Sequence, residues 1–237
     1  LIDTAYTSLR DRMREVAWTV SSELIDYSDS LKRMKNRVEL IQSGKAIEQI
    51  WLLQHPPLYT AGTSAKVHDL IARDRFPVFE TGRGGQYTYH GPGQRVIYLM
   101  LDLHNYRQDV RMYISLLERW LINTLSHLDV NATRMDDRVG IWVPVGQVSN
   151  KTKYEKIGAI GVRIRRWITS HGVSLNISPN LEHFSGIVPC GINDSGVTSL
   201  EKLKREVDIA KIDKLLKTEF LNVFGSQNSV ALVEEAC

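Results

Sequence analysis

The 237-residue sequence predicts an α+β fold, a mixed and largely antiparallel sheet backed by helices. Three observations predict it. Apolar, β-rich runs recur along the chain: IEQIWLLQH (47–55), RVIYLMLDL (95–103) and GVSLNI (172–177). Longer stretches with helical composition or spacing stand among them. Strands and helices do not alternate as regular βαβ units, and no linker, repeat or low-complexity tract interrupts them, so the chain reads as one domain over 1–237.

The elements follow in order. Near 23–44, LIDYSDSLKRMKNRVELIQSGK is helical in composition, with Gly44 as its C-cap. IEQIWLLQH is a strand that Pro56-Pro57 stops, because proline cannot donate to a ladder. RVIYLMLDL reads as a buried strand. Asp109 caps a helix whose Val110, Ile114, Leu117, Leu121, Leu125 and Leu128 keep helical spacing. Short β-like pieces come next: VGIWV (139–143), KIGAIGVRIRRW (156–167) and GVSLNI. The last helix, about 208–224, carries Ile209, Ile212, Leu216, Phe220 and Val223 on one face.

Composition narrows the class. With 43% apolar and 24% charged residues the chain is an ordinary globular protein, and a net charge of +3 is too small to indicate nucleic acid. It is compatible with an acidic protein partner. Two cysteines make no disulfide framework, so a reducing cytoplasm is the expected compartment. The start, LIDTAYTSLRDRMRE, lacks the apolar stretch of a secretory signal; it begins with Leu, which leaves a processed upstream segment open. The longest apolar run, VIYLML (96–101), falls far short of the roughly 20 residues a membrane helix needs.

Chemistry concentrates in three places. RGGQYTYHGPGQ (83–94) is too rich in glycine and proline to be core. It matches neither GxxxxGK[ST] nor GxGxxG, so it reads either as backbone brought close to a ligand or as a turn-rich hairpin with a surface Arg and His. Cys190 stands between Pro189 and Gly191, as an accessible nucleophile or as a small buried hydrophobe. Lys156 opens KIGAIG, as a partner able to favour a thiolate or as one more solvated lysine. The histidines form no cysteine-protease signature, and CxxC, HxxxH and HExxH are absent, so no metal site is expected. Cys237 has no such context.

Taken together, RGGQYTYHGPGQ, KIGAIGVRIRRWITSHGVSLNI and FSGIVPCGI, with WLLQHPPLYTAGTSA (51–65), resemble the lipoyl(octanoyl) transferase family of lipoate-protein ligase B type. The likeness spans about 15–203. Gly158 stands where the family more often has Ala, and Leu99 follows Tyr98 where Pro is common. The resemblance implies the fold of the lipoate/biotin protein ligase catalytic domain. It also implies transfer of an octanoyl group from octanoyl-acyl carrier protein to a lysine of lipoyl domains, in 2-oxoacid dehydrogenase complexes or the glycine cleavage H protein. No cofactor is implied. Carried over by position, Cys190 is the acyl-accepting nucleophile and Lys156 lowers its pKa. Substrate contacts come from Arg83, Gly84, Gly85, Gln86, Tyr87, Thr88, Tyr89 and His90, from Ala159, Ile160 and Gly161, and from Gly172, Val173 and Ser174.

This reading gives the glycines a role, since backbone without side chains can form a narrow slot for an apolar chain. Gly161 and Gly172 would then line its far part. Two rivals are an ATP-dependent lipoate or biotin ligase on the same scaffold and a non-catalytic module that binds acyl carrier protein. The basic segment RIRRW (163–167) reads as a docking patch for that acidic carrier, with Arg163 and Arg165 on one strand face and Arg166 opposite, or as a charged strand edge.

Overall fold

A computed structural model describes residues 14–188, 196–225 and 230–236. Cys190 and Cys237 lie outside the described residues. The elements are β1 (Arg14–Leu24), α1 (Tyr27–Gln42), β2 (Glu48–Gln54), β3 (Leu58–Ala61), β4 (Val78–Glu80), β5 (Tyr87–His90), β6 (Gln94–Met100), α2 (Val110–Ser126), β7 (Thr133–Met135), β8 (Arg138–Val148), β9 (Lys151–Arg165), β10 (Ile168–Asn176), β11 (Gly196–Val197), α3 (Ile209–Phe220) and β12 (Val230–Glu234). A π-helical turn, Leu221–Gly225, prolongs α3.

The strands form a nine-stranded sheet in the order β12-β1-β2-β6-β10-β9-β8-β7, with β11 attached to β9, and a three-stranded sheet β4-β3-β5. Pairing is parallel for β12, β1 and β2 and antiparallel from β2 through β7, so the predicted mixed α+β fold is the observed one.

Both faces of the large sheet are buried, which explains its nearly continuous apolar runs. Ile50, Leu52, Ile97 and Leu99 point to one side, into a core completed by Leu117, Trp120 and Leu121 of α2 and by Leu216 and Phe220 of α3. Their strand neighbours Trp51, Leu53, Val96, Tyr98 and Met100 point to the other, against Met34 and Ile41 of α1. A buried ion pair between Arg95 of β6 and Asp213 of α3 (Nε–Oδ1 2.9 Å) fastens the last helix to the sheet. Among the described residues no helix is long and apolar enough to cross a membrane.

Local chemistry sets the helix ends. The Asp26 carboxylate accepts the Ser28 and Asp29 N–H groups (2.8 and 3.2 Å), and Asp109 accepts that of Met112 (3.0 Å). Gly44 follows α1 with φ +68°, where its N–H donates to the Ile41 carbonyl. The predicted first helix therefore begins at Tyr27 rather than near 23, because residues 14–24 belong to a strand. The glycine-rich stretch is not a hairpin. β5 pairs with β3 and β6 with β2, so Gly91–Gly93 carries the chain from the small sheet to the large one.

Candidate active site

A narrow cleft opens where the small sheet, the large sheet and the start of α1 meet. Its floor is the β9–β10 pair. In that ladder Ala159 stands opposite Ser174, Ile160 opposite Val173, and Gly161 opposite Gly172, so two segments predicted separately are cross-strand partners. The wall is the glycine-rich segment. Of the residues predicted to contact substrate, all line the cleft except Gly84 and Tyr89. Gly84 instead ties the wall to the floor, its N–H donating to the Val162 carbonyl at 3.0 Å. Tyr89 turns away into a cluster with Tyr59 and Phe184, and its hydroxyl meets His183 Nδ1 at 2.8 Å.

Arg83 holds the wall together. It is 7% exposed, and its guanidinium donates to the carbonyls of Thr60 (2.8 Å), Gln86 (2.8 Å) and Gly84 (3.0 Å) and to the Thr60 hydroxyl (2.7 Å). One buried fork of donors thus ties strand β3, through Thr60, to the turn that leads into β5. Gly85, at φ +87°, supplies the left-handed turn beside it.

Four further residues complete the lining: Tyr27, Val96, Tyr98 and His171. They come from the start of α1, from β6 and from the edge of the floor. Tyr98 offered a faint signal as a hydroxyl inside an apolar run.

The histidines under the cleft all have lowered pKa values. Burial pushes the His90 imidazole down to about 3, with His55 nearby adding to the effect. Burial likewise lowers His55 and His171 to about 4. The network fixes tautomers. Gln94 spends its amide N–H groups on the Tyr89 carbonyl and the Asn176 side-chain oxygen, so its own oxygen accepts from His90 Nδ1–H (2.7 Å). His55 Nδ1–H donates to the Ile25 carbonyl, leaving Nε2 to accept from the Tyr98 hydroxyl (2.7 Å).

Two glycines of the floor differ. A Cβ at Gly172 would collide with the Ile97 carbonyl oxygen and come within 2.8 Å of Leu99 Cδ1. Gly172 therefore serves the fit of β10 against β6, contrary to the expectation that it mainly leaves room for a ligand. A Cβ at Gly161 would meet Arg83 Cδ at 3.1 Å and the Gly84 carbonyl at 3.3 Å, on the side where the wall stands.

Lys156 lies earlier on β9, 7% exposed. Its Nζ donates to the Val139 carbonyl at 3.3 Å and sits 4.6 Å from the centre of the Trp142 ring. The chain on both sides of Cys190 is anchored. Before it, Val188 N–H donates to the Asp69 carbonyl; after it, Gly196–Val197 pairs with Glu155–Lys156, and Thr198 N–H donates to the Lys156 carbonyl.

The basic hairpin closes the far end of the floor. Arg166 and Trp167 form its turn with φ +52° and +63°, which ends the strand alternation. Arg166 accordingly lines the same groove as Arg163 and Arg165, a correction to its expected place on the opposite face.

Residues 26–221 match the family model described as the lipoyl protein ligase A/B catalytic domain. The chain belongs to that family. Within it, an octanoyltransferase of Agrobacterium fabrum is 52% identical over 218 residues, covering 89% of this chain and 80% of the relative. An octanoyltransferase of Parvibaculum lavamentivorans is 55% identical over 208 residues, covering 88% and 92%. Among solved structures, lipoate-protein ligase A bound with ATP superposes with a TM-score of 0.68 at 13% identity, covering 95% of this chain and 90% of that one. The bi-partite lipoate protein ligase of Thermoplasma acidophilum gives 0.67 at 14%, covering 95% and 88%. At such identities these structures share the fold alone.

Proposed function

We propose that the protein is an octanoyltransferase that moves an octanoyl group from octanoyl-acyl carrier protein to a lysine of a lipoyl domain through a thioester on Cys190. The observation that carries this reading is the cleft itself. The wall 83–90 and the floor strands 159–161 and 172–174 converge on one slot, and Lys156 stands on the same strand as the floor. The names of relatives at about half identity agree with it.

In the first step the Cys190 thiolate attacks the donor thioester carbonyl. The tetrahedral intermediate collapses as the C–S bond to the carrier's thiol breaks, leaving octanoyl on Sγ and the carrier thiol, which takes a proton. In the second, the acceptor ε-amine attacks the new thioester. An amide forms, the amine loses a proton, and Cys190 is released. Thioester exchange is nearly isoenergetic and amide formation runs downhill, so neither step requires ATP. Lys156 as ammonium stabilises the thiolate; as amine it takes the proton of the incoming lysine. The Val139 carbonyl and the Trp142 face hold its Nζ. A backbone N–H that reached the developing oxyanion would contribute ~3 kcal/mol.

The fold also carries ATP-dependent ligation in lipoate-protein ligase A, which makes a ligase the second reading. Incubating the protein with octanoyl-acyl carrier protein and a lipoyl domain, without nucleotide, separates the two. Octanoylated lipoyl domain is the expected product. Product from free octanoate that appears only with ATP would establish the ligase instead.

A further inference from the structure

The cleft has a direction. Its floor runs along β9 from Ala159 to Gly161, away from Lys156, and returns along β10 from Gly172 to Ser174. The floor residues 159–161 themselves cover about 7 Å of strand. At the distal end stands His171, opposite Val162. It is 6% exposed and lines two cavities at once. On one side is the cleft. On the other is an open groove between α1 and the β9–β10 hairpin, whose lining mixes Leu31, Met34, Val38 and Ile168 with charged side chains, Arg163 among them.

His171 is built to stand there. Its φ of +58° breaks the strand alternation that would otherwise dictate where its side chain goes. Its ring packs edge-on against Tyr98, centroids 6.1 Å apart. The charges that oppose its protonation are Arg83 from the cleft side and Arg163 from the groove side, after the larger effect of burial. A neutral, close-packed ring thus stands between two spaces that both offer apolar surface.

Resting on the acyl-transfer reading above, we infer that His171 is the residue that ends the acyl slot and limits the length of chain the enzyme accepts. A chain bound with its carbonyl toward Lys156 meets the imidazole with its last carbons. Longer chains collide with it, and with the ring gone they continue into the groove, over Leu31 and Met34. Acyl recognition in an apolar slot discriminates by roughly 10- to 200-fold for each misfitting methylene, so one ring at the end suffices to set a preference.

The test compares octanoyl and dodecanoyl thioesters of the same carrier in the wild type, His171→Gly and His171→Asn. Both replacements tolerate a positive φ, and Asn keeps a polar side chain shorter than the imidazole. The dodecanoyl-to-octanoyl ratio of kcat/KM is expected to rise about tenfold or more in His171→Gly and less in His171→Asn. Adding Leu31→Glu to His171→Gly places a charge on the groove floor and is expected to return the ratio toward wild type while octanoyl transfer persists. An unchanged ratio in folded variants that still transfer octanoyl overturns this inference alone. Absence of octanoyl transfer by the wild type overturns the functional reading, and this inference with it.

Discussion

Two arginine-bearing turns border the cleft, and they are built in opposite ways. Arg83 is buried, and its guanidinium is engaged by three carbonyls and a hydroxyl of β3 and the adjoining turn. Arg163, Arg165 and Arg166 are exposed along an open groove at the end of the floor. The same side chain therefore does two jobs. Buried and fully engaged, it shapes the wall of the cleft; exposed on a hairpin, it contributes a field to whatever approaches. Removing the first should damage every substrate alike, and removing the second should matter only for a charged carrier.

Arg83→Ala presses hardest on that contrast. It removes one charged donor group from the Thr60, Gly84 and Gln86 carbonyls at once, a loss of about 2–4 kcal/mol, and transfer should collapse for carrier-bound and small thioester donors together. Chemical denaturation and a two-donor assay check both halves; a stable variant active on either donor would remove Arg83 from its place as the wall's fastener. The floor glycines come next. Gly161→Leu should hinder octanoyl and spare butanoyl donors, whereas Gly172→Ala should lower the melting temperature and penalise both chain lengths, because its Cβ runs into β6. Identical chain-length profiles for the two variants would erase the difference drawn between them.

Reversing the exposed charges is a milder change. Arg163→Glu with Arg165→Glu should raise KM for octanoyl-acyl carrier protein several-fold, and added salt should shrink the gap as the Debye length falls to roughly 8 Å near 0.15 M. A small octanoyl thioester should react as before, and equal losses for both donors would make these arginines structural too. A further test concerns pH. His90, His55 and His171 are held near 3, 4 and 4, below the ordinary value of 6.5. Between those values the unfolded chain binds protons that the fold excludes, so these groups contribute stability fully above pH 6.5 and lose it as pH falls toward 4. Thermal melting between pH 7 and 5 should show the decline, and His55→Gln should flatten it; a variant with the wild-type slope would assign the decline to other groups.

The fold was legible where local pattern and tertiary structure agree. The runs around Trp51 and Tyr98 are apolar without a break because both faces of their strands are covered, and Asp109 marks a helix start by its own chemistry. β1 was missed because REVAWTVSSEL mixes charge and hydroxyls with apolar residues, and because its partners β2 and β12 are parallel strands, one of them from the far end of the chain. In the site, the glycine-rich wall and the floor segments stood out as motifs. Tyr27, Val96 and Tyr98 did not, since helix α1 and strand β6 bring them there only after folding. His171 and Arg166 depend on positive φ values at residues that are not glycine, and nothing in their residue type announces that.

The proposed reaction depends above all on a covalent acyl group on Cys190. Intact-mass and peptide-mass measurements on the protein, after incubation with octanoyl-acyl carrier protein in the absence of acceptor and nucleotide, test it directly. One octanoyl group in place of one hydrogen is expected, mapped to Cys190, discharged by a lipoyl domain and absent in Cys190→Ser. An unmodified Cys190 in a preparation that still octanoylates the lipoyl domain would contradict it.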